Sequence, residues 1–517
     1  MMLQQIKTAA LSVVAGVLLG GLATDAQAQK SKDTVSMAFL EATQSVDPYL
    51  DPKPENEFMS TAVFDNLIHY DEKNYRYAPL LAKSWKLVDP KTIEFELRED
   101  VKWHDGETFD ADDAVYTLSY LIDPNVKLRF KNNWAFMDKV EKLGPYKIRV
   151  TTKEAIPNVI ENFAYTTVMF PKHVHEPLAE KEVFGTKPVG TGMYKVLQVD
   201  RNTGFALQKN NDYKHGGEGK PASNVGKLNI LPIPDFGTQT AQFMVGNVNL
   251  LRNVPLEQAE ELAKNPAYTL TLAQSLSYLY MSFDAAGRSG LKPLQDVRVR
   301  KALMMAVNRE EVYKIRTGNR PLPRGVPEAL CWKFQIGCGY TAELPKYDPE
   351  GAKKLLAEAG YPNGFNIALS TFNSTRDMAE VVSGHLRKIG VRASVDSLTF
   401  TAYRSKQADG KLNSLVSGWS AGGQPDVSNT LDFFFEPGAR DYFQDPELHK
   451  LRHIGLTEID EAKRKEAVTK LMDASTERAY AIPVAPIPLI FLHSSDIVIS
   501  GNSFAAFGIM PSYINWK

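Results

Sequence analysis

The chain of 517 residues carries 60 Lys and Arg against 61 Asp and Glu, with 43% hydrophobic residues. It is therefore neither a disordered polyelectrolyte nor a protein with the cationic surplus needed to track a nucleic-acid backbone. Its length exceeds what one hydrophobic core sustains, and about three domains is the prior.

Residues 1–28 read as an export signal. Lys7 gives a positive start, Ala9 to Ala23 form an apolar run broken by Ser12 and glycines, and Ala26-Gln27-Ala28 is a cleavage motif. The run is shorter than the roughly 20 residues a membrane span requires, and no comparable run follows. No Cys stands near the cleavage site, which disfavours a lipid anchor. The expected product starts near Gln29, after cleavage near Ala28, and is soluble and periplasmic.

Strand-like and helix-like segments then alternate without a short repeat, so the fold class is α/β, mixed α and β. In "TIEFELR", Ile93, Phe95 and Leu97 alternate with Glu94, Glu96 and Arg98, the pattern of a strand with one wet face in an antiparallel sheet. His104 to Gly106 supply a turn, and Asp110 with Asp113 frame the start of a helix. His104 beside Asp105 has the look of a dyad but reads as turn structure. His173 and His175 lie two apart, which does not put both rings on one helical face, so no metal site is expected there. Gly190-Thr191-Gly192 reads as a tight turn before a strand, since no following helix makes it a phosphate cradle.

"YLYMSF" at Tyr278 to Phe283 and "IPLIFLH" at Ile487 to His493 read as short apolar strands. Between them, "DVRVRKALMMAVNREEV" predicts a helix capped by Asp296 with Val299, Ala302, Leu303, Ala306 and Val307 on one face. "YDPEGAKKLLAEAGYP" predicts another, capped by Asp348, opened by Pro349 and stopped by Gly360. The only two cysteines, Cys331 and Cys338, read most simply as a small disulfide in an exported chain. Metal-bound thiols are the lesser alternative, because no nearby His or third Cys completes a zinc set.

Gly418-Trp419-Ser420-Ala421-Gly422 satisfies the G-x-S-x-G pattern of a hydrolase nucleophile elbow, and Asp426 and His493 follow in the chain order of a triad. An elbow needs a helix directly after the serine, and the glycines and Pro425 of "SAGGQPDVSN" argue against one. A catalytic role for Ser420 is thus the alternative reading, and the chain is expected not to be an enzyme. No G-x-x-x-x-G-K-[ST] loop occurs, so any ATP hydrolysis belongs to other subunits.

In order along the chain, "PLLAKSW" (Pro79 to Trp85), "FELREDVKWHDGETFDADDAVYTL" (Phe95 to Leu118), "PVGTGMYKV" (Pro188 to Val196) and "NNDYKHG" (Asn210 to Gly216) resemble the family 5 extracellular solute-binding proteins. "DVRVRKALMMAVNRE" and "YDPEGAKKLLAEAGYPNGF" extend the resemblance over nearly the whole mature chain. It implies a two-lobed clamp of the large three-domain type, hinged by two crossing strands. The corresponding layout is a first lobe of residues 29–65, 197–277 and 490–517, an extra domain of 66–196 inserted into it, and a second lobe of 278–489. "YLYMSF" and "IPLIFLH" are then the hinge candidates.

The implied function is a receptor that captures a peptide or peptide-like solute between the lobes and delivers it to the permease of an ABC importer with separate ATPase subunits. An opine, sugar conjugate or metal chelate is the alternative cargo. A monomer without cofactor is expected. The resemblance places Trp419 against the ligand, where an indole gives broad apolar area and one donor. Peptide-binding relatives pair an aspartate with the ligand's ammonium at the position of Gly422, and a glycine cannot do so. Asp426 could take over that pairing or instead cap the segment entering "SNTLDFFF". Thr43 and Gln44 of "EATQSVDPYL" correspond to groups that contact an extended ligand, whereas Asp47 and Pro48 read as turn residues.

Overall fold

The structure, a computed structural model, describes residues 30–517 apart from 31, 42–44, 52–53, 73, 166, 201, 218–219, 421–423 and 501–508. The export signal and its cleavage motif lie outside the described residues. Among the described residues, no helix is long and apolar enough to cross a membrane.

Two large sheets organise the chain, each in its own half. The seven-stranded sheet runs in the spatial order Tyr268–Ala273, Leu489–Ser494, Leu250–Arg252, Thr34–Phe39, Lys227–Pro232, Gly204–Lys209 and Tyr194–Asp200. Its centre is parallel and its flanks antiparallel. The five-stranded sheet runs Arg392–Leu398, Asn366–Phe372, Ser414–Trp419, Tyr278–Phe283 and Ala481–Pro486. A separate antiparallel sheet of Ala82–Asp89, Thr92–Leu97, Lys147–Thr152 and Met137–Gly144 shares one apolar core with the seven-stranded sheet. In Thr92–Leu97 the predicted alternation appears as Ile93, Phe95 and Leu97 buried and their neighbours half-buried.

Tyr278–Phe283 is apolar except at Ser282 because both of its faces are covered. Leu279, Met281 and Phe283 pack on one side with the helices Val297–Ala306, Pro349–Glu358 and Arg376–Arg387. Tyr278 and Tyr280 face a second core with the helices Ser428–Phe435, Pro446–Thr457 and Glu461–Glu477. The helix starts follow the sequence. Asp296 accepts the Arg298 amide, Asp348 the Gly351 amide, and Asp110 the Asp112 amide, while Asp113 accepts the Asp110 amide in return.

The chain passes between the halves twice, at 274–277 and again at 487–488. "YLYMSF" lies wholly inside the second sheet and "IPLIFLH" mostly inside the first, so the crossings sit at the N-terminal edge of each predicted hinge strand. The two crossings are tied side by side. Ile487 donates its amide to the Ser277 carbonyl at 2.9 Å, and Ser275 Oγ donates to the Ile487 carbonyl at 2.6 Å. A connection this short and this laterally bonded is where two rigid halves can rotate.

The histidines that stand out in the sequence are structural. His104 Nδ1 accepts the Gly190 amide at 3.2 Å and Nε2 donates to the Gly192 carbonyl at 2.9 Å, so the ring braces the Gly190-Thr191-Gly192 turn. Burial lowers its pKa to about 4, which keeps it neutral. Both glycines are required: a Cβ at Gly190 would lie 1.9 Å from the Val63 carbonyl oxygen, and one at Gly192 2.4 Å from that of Ala62. His173 bonds Asp105 at 2.8 Å, while buried His175 bonds the Tyr116 hydroxyl at 2.6 Å, so the two rings serve different partners. Asp47 makes the predicted turn, accepting the amides of Tyr49 and Leu50.

Candidate ligand cleft

Trp419 ends the central strand of the second sheet, directly opposite Tyr278 and next to the crossings. Its neighbour Gly418 is backed by the first crossing residue of the return strand: a Cβ there would meet Ile487 Cδ1 at 3.0 Å. The indole is half-buried. One of its faces stacks on Phe433 with ring centroids 4.0 Å apart and planes 20° apart, and Nε1 donates to Thr430 Oγ1 at 3.3 Å. The helix Ser428–Phe435 thus fixes the ring's orientation.

Aromatic side chains from both halves gather around this strand end. Trp332 lies edge-on to Tyr278 and stacks on Phe334 at 5.5 Å. From the other half, Tyr75 approaches Phe334 at 5.0 Å, and the Arg324 guanidinium lies over both rings while Nε donates to the Tyr75 hydroxyl at 2.7 Å. Tyr70, Tyr77 and Tyr165 of the first half join the same core as Trp332 and Trp419.

Asp426 sits in a buried ion pair with Arg464. The residue is 1% exposed. Its oxygens receive the Arg464 guanidinium at 2.6 and 2.8 Å, and one of them also accepts the amide and hydroxyl of Ser428. In the structure Asp426 anchors the start of "SNTLDFFF" through Ser428 and is held by a fork-to-fork pair with Arg464. Gly422, Thr43 and Gln44 lie outside the described residues.

Cys331 and Cys338 form a disulfide. The loop they close is a brace: Ile336 donates its amide to the Pro425 carbonyl at 2.8 Å, and Val427 donates back to Ile336 at 3.0 Å. Residues 425–427, which lead into the helix at Ser428, are thereby pinned. The bridge between Ile336 and Asp426 is parallel and could not be inferred from the cysteine spacing.

The hydrolase constellation is not assembled. Among the described residues, the helix after Ser420 begins at Ser428, and no strand-to-helix elbow is seen at the serine. Asp426 is taken by Arg464, and His493 lies in the other sheet with Nε2 at Thr271 Oγ1 and Nδ1 at the Ser494 carbonyl. Among the described residues, no group of three or more His, Cys, Asp or Glu is placed to hold a metal ion.

Sequence reasoning missed one residue at the contact between the halves altogether. Glu161, in the helix Val159–Tyr165 of the first half, is 1% exposed and accepts the Asp426 amide from the second half at 3.1 Å. Burial, and then the nearby Asp426 charge, push its pKa up to about 8. The only signal in the sequence is a single acid within the apolar stretch "VIENFAY", which by itself points nowhere.

The profile of the bacterial extracellular solute-binding proteins, family 5, middle region, matches residues 76–442. A glutathione-binding protein of Pectobacterium atrosepticum is 26% identical over 79% of this chain and 78% of its own. The heme-binding protein A of Haemophilus influenzae is 27% identical over 71% and 70%. Among solved structures, HbpA2 of Haemophilus parasuis superposes with a TM-score of 0.78 at 21% identity, covering 94% of this chain and all of its own.

Proposed function

The chain belongs to the family 5 bacterial extracellular solute-binding proteins, and from that premise we propose that it captures a peptide or peptide-like solute in the cleft between its halves and delivers it to the permease of an ABC importer. It is a binding protein and not an enzyme. In this reading the first lobe comprises 29–65, 197–277 and 490–517, the extra domain 66–196, and the second lobe 278–489. The mature protein is a periplasmic monomer cleaved near Ala28.

The observation that carries the reading is Trp419, held at a strand end beside the crossings with aromatic side chains converging from both halves. A guest touching both halves gains its full contacts only when they close, so its binding energy shifts the open and closed populations that a permease senses. Because Asp426 is consumed by Arg464, a free peptide ammonium finds no carboxylate at that position. A side-chain or backbone grip through flat, apolar surface supports peptide-like cargo of varied sequence. Two relatives are named for glutathione and heme, both of which offer planar or amide surface to such a wall.

Mass spectrometry of solute released from gently purified protein tests this. A bound peptide or peptide conjugate is expected, and an added sample of it at about 100 times its Kd raises stability by roughly 2.7 kcal/mol. Trp419→Ala should weaken that solute at least tenfold while the unliganded melting temperature changes little. A large loss of apo stability with unchanged affinity would reassign the indole to the core.

A further inference from the structure

Glu161 and Asp426 belong to different halves of the molecule, yet the Asp426 amide donates to Glu161 Oε1 at 3.1 Å and both side chains are buried. The guanidinium of Arg464 is bonded to Asp426 and not to Glu161. Arg464 turns both of its terminal nitrogens to Asp426 and its remaining donors to the Gly455 carbonyl and Ser428 Oγ. On its own side Glu161 meets only Asn158, at 3.5 Å. The hairpin Ile68–Asp71 and Arg76–Pro79 packs against its helix and brings Tyr70 and Tyr77, and the helix itself adds Tyr165. Of the hairpin's other described ionisable groups, Asp71 is engaged with Asn74 and Arg76, Glu72 with Tyr513 and Tyr75 with Arg324, while buried His69 stands next to Tyr70 on the strand that packs against the helix. No cation of the described residues is bonded to Glu161, and the Tyr70 and Tyr165 hydroxyls are themselves buried without a hydrogen-bond partner.

We propose that Glu161 and the Asp426–Arg464 pair form a proton-dependent latch between the two halves, in which closure of the clamp takes one proton from solvent onto the Glu161 carboxyl. Two carboxylates against one guanidinium leave an unbalanced charge in a buried site, which folded proteins avoid by protonation. When the halves part, Glu161 returns to water and to an ordinary carboxyl pKa of about 4.3. In the closed form burial holds the proton up to about pH 8. A group whose pKa is raised by closure favours the closed form fully below its open-state pKa, and that advantage is lost as pH rises through the closed-state value. Closure, and with it affinity for any guest that needs both halves, is therefore strongest in acid and weakens between about pH 4.3 and pH 8.

The inference rests on the clamp reading above. Small-angle scattering of the unliganded protein separates the two. The compact fraction, expressed as the ratio of closed to open, is expected to fall by about tenfold or more between pH 5.5 and pH 8.5 in the wild type, and to be nearly constant in Glu161→Gln, which carries a neutral isostere. A wild type that populates both shapes in a pH-independent ratio, or a Glu161→Gln variant that keeps the wild-type response, overturns the latch and leaves the clamp intact. A single shape at every pH in both proteins overturns the clamp and the latch with it.

Discussion

Two buried carboxylates in this molecule have opposite fates. Asp65, wholly within the first half, is surrounded by donors: Lys220 Nζ at 2.5 Å, His215 at 2.8 Å and Thr191 Oγ1 at 3.0 Å. Against the penalty of burial, the Lys220 ammonium and then His215 hold its carboxyl well below the usual range. Glu161 faces another carboxylate across the gap between the halves, and burial drives its pKa the other way. A charge compensated inside one folding unit fastens that unit. A charge left uncompensated at a boundary makes the boundary responsive to protons.

The largest expected effect breaks the first cluster. Asp65→Ala leaves Lys220 and His215 buried without their partner and should cost about 3–5 kcal/mol in urea denaturation at pH 7. Because the folded pKa of Asp65 is depressed, its contribution is fully present above the unfolded value of about 3.9 and is lost on further acidification. The wild-type and Asp65→Ala denaturation curves should accordingly converge as pH falls below that point. Failure to converge would mean that packing around Asp65, and not its charge, carries the effect.

The second cluster should respond through its cation. Arg464→Met strands Asp426 and is expected to cost about 3 kcal/mol, with part of the loss recovered when Asp426→Asn is added, since the two sites share one interaction. Opening the disulfide with Cys331→Ser and Cys338→Ser should cost about 2–3 kcal/mol by loop entropy. It should also speed hydrogen exchange at Val427, whose amide is held by Ile336, while leaving Asp65 and its neighbours unaffected. The smallest effect belongs to a half-buried surface cluster: Glu94 is bridged by Arg149 and Lys147 on the outer face of the four-stranded sheet. Glu94→Gln should leave the denaturation midpoint unchanged within error, because solvent already screens those charges.

Elements with a local cause were legible in the sequence. The caps at Asp110, Asp296 and Asp348 and the alternation of Thr92–Leu97 each depend on residues a few positions apart. Of the candidate site, Trp419 could be singled out in the sequence because that reading needs one residue and no partner. Asp426 showed two possible roles because its partner Arg464 stands 38 positions later, and Glu161 showed none because its contact lies 265 positions away. The cysteine spacing predicted a bridge but not that its loop would pin Pro425 and Val427.

What the sequence determined by itself is the set of building units: period, cap and turn chemistry act over a few residues and need no partner from elsewhere in the chain. The order of motifs further identified the family and so the clamp. Only the tertiary structure decided which buried charges are matched. That outcome depends on distance through space and on exclusion of water, and neither is set by separation along the chain.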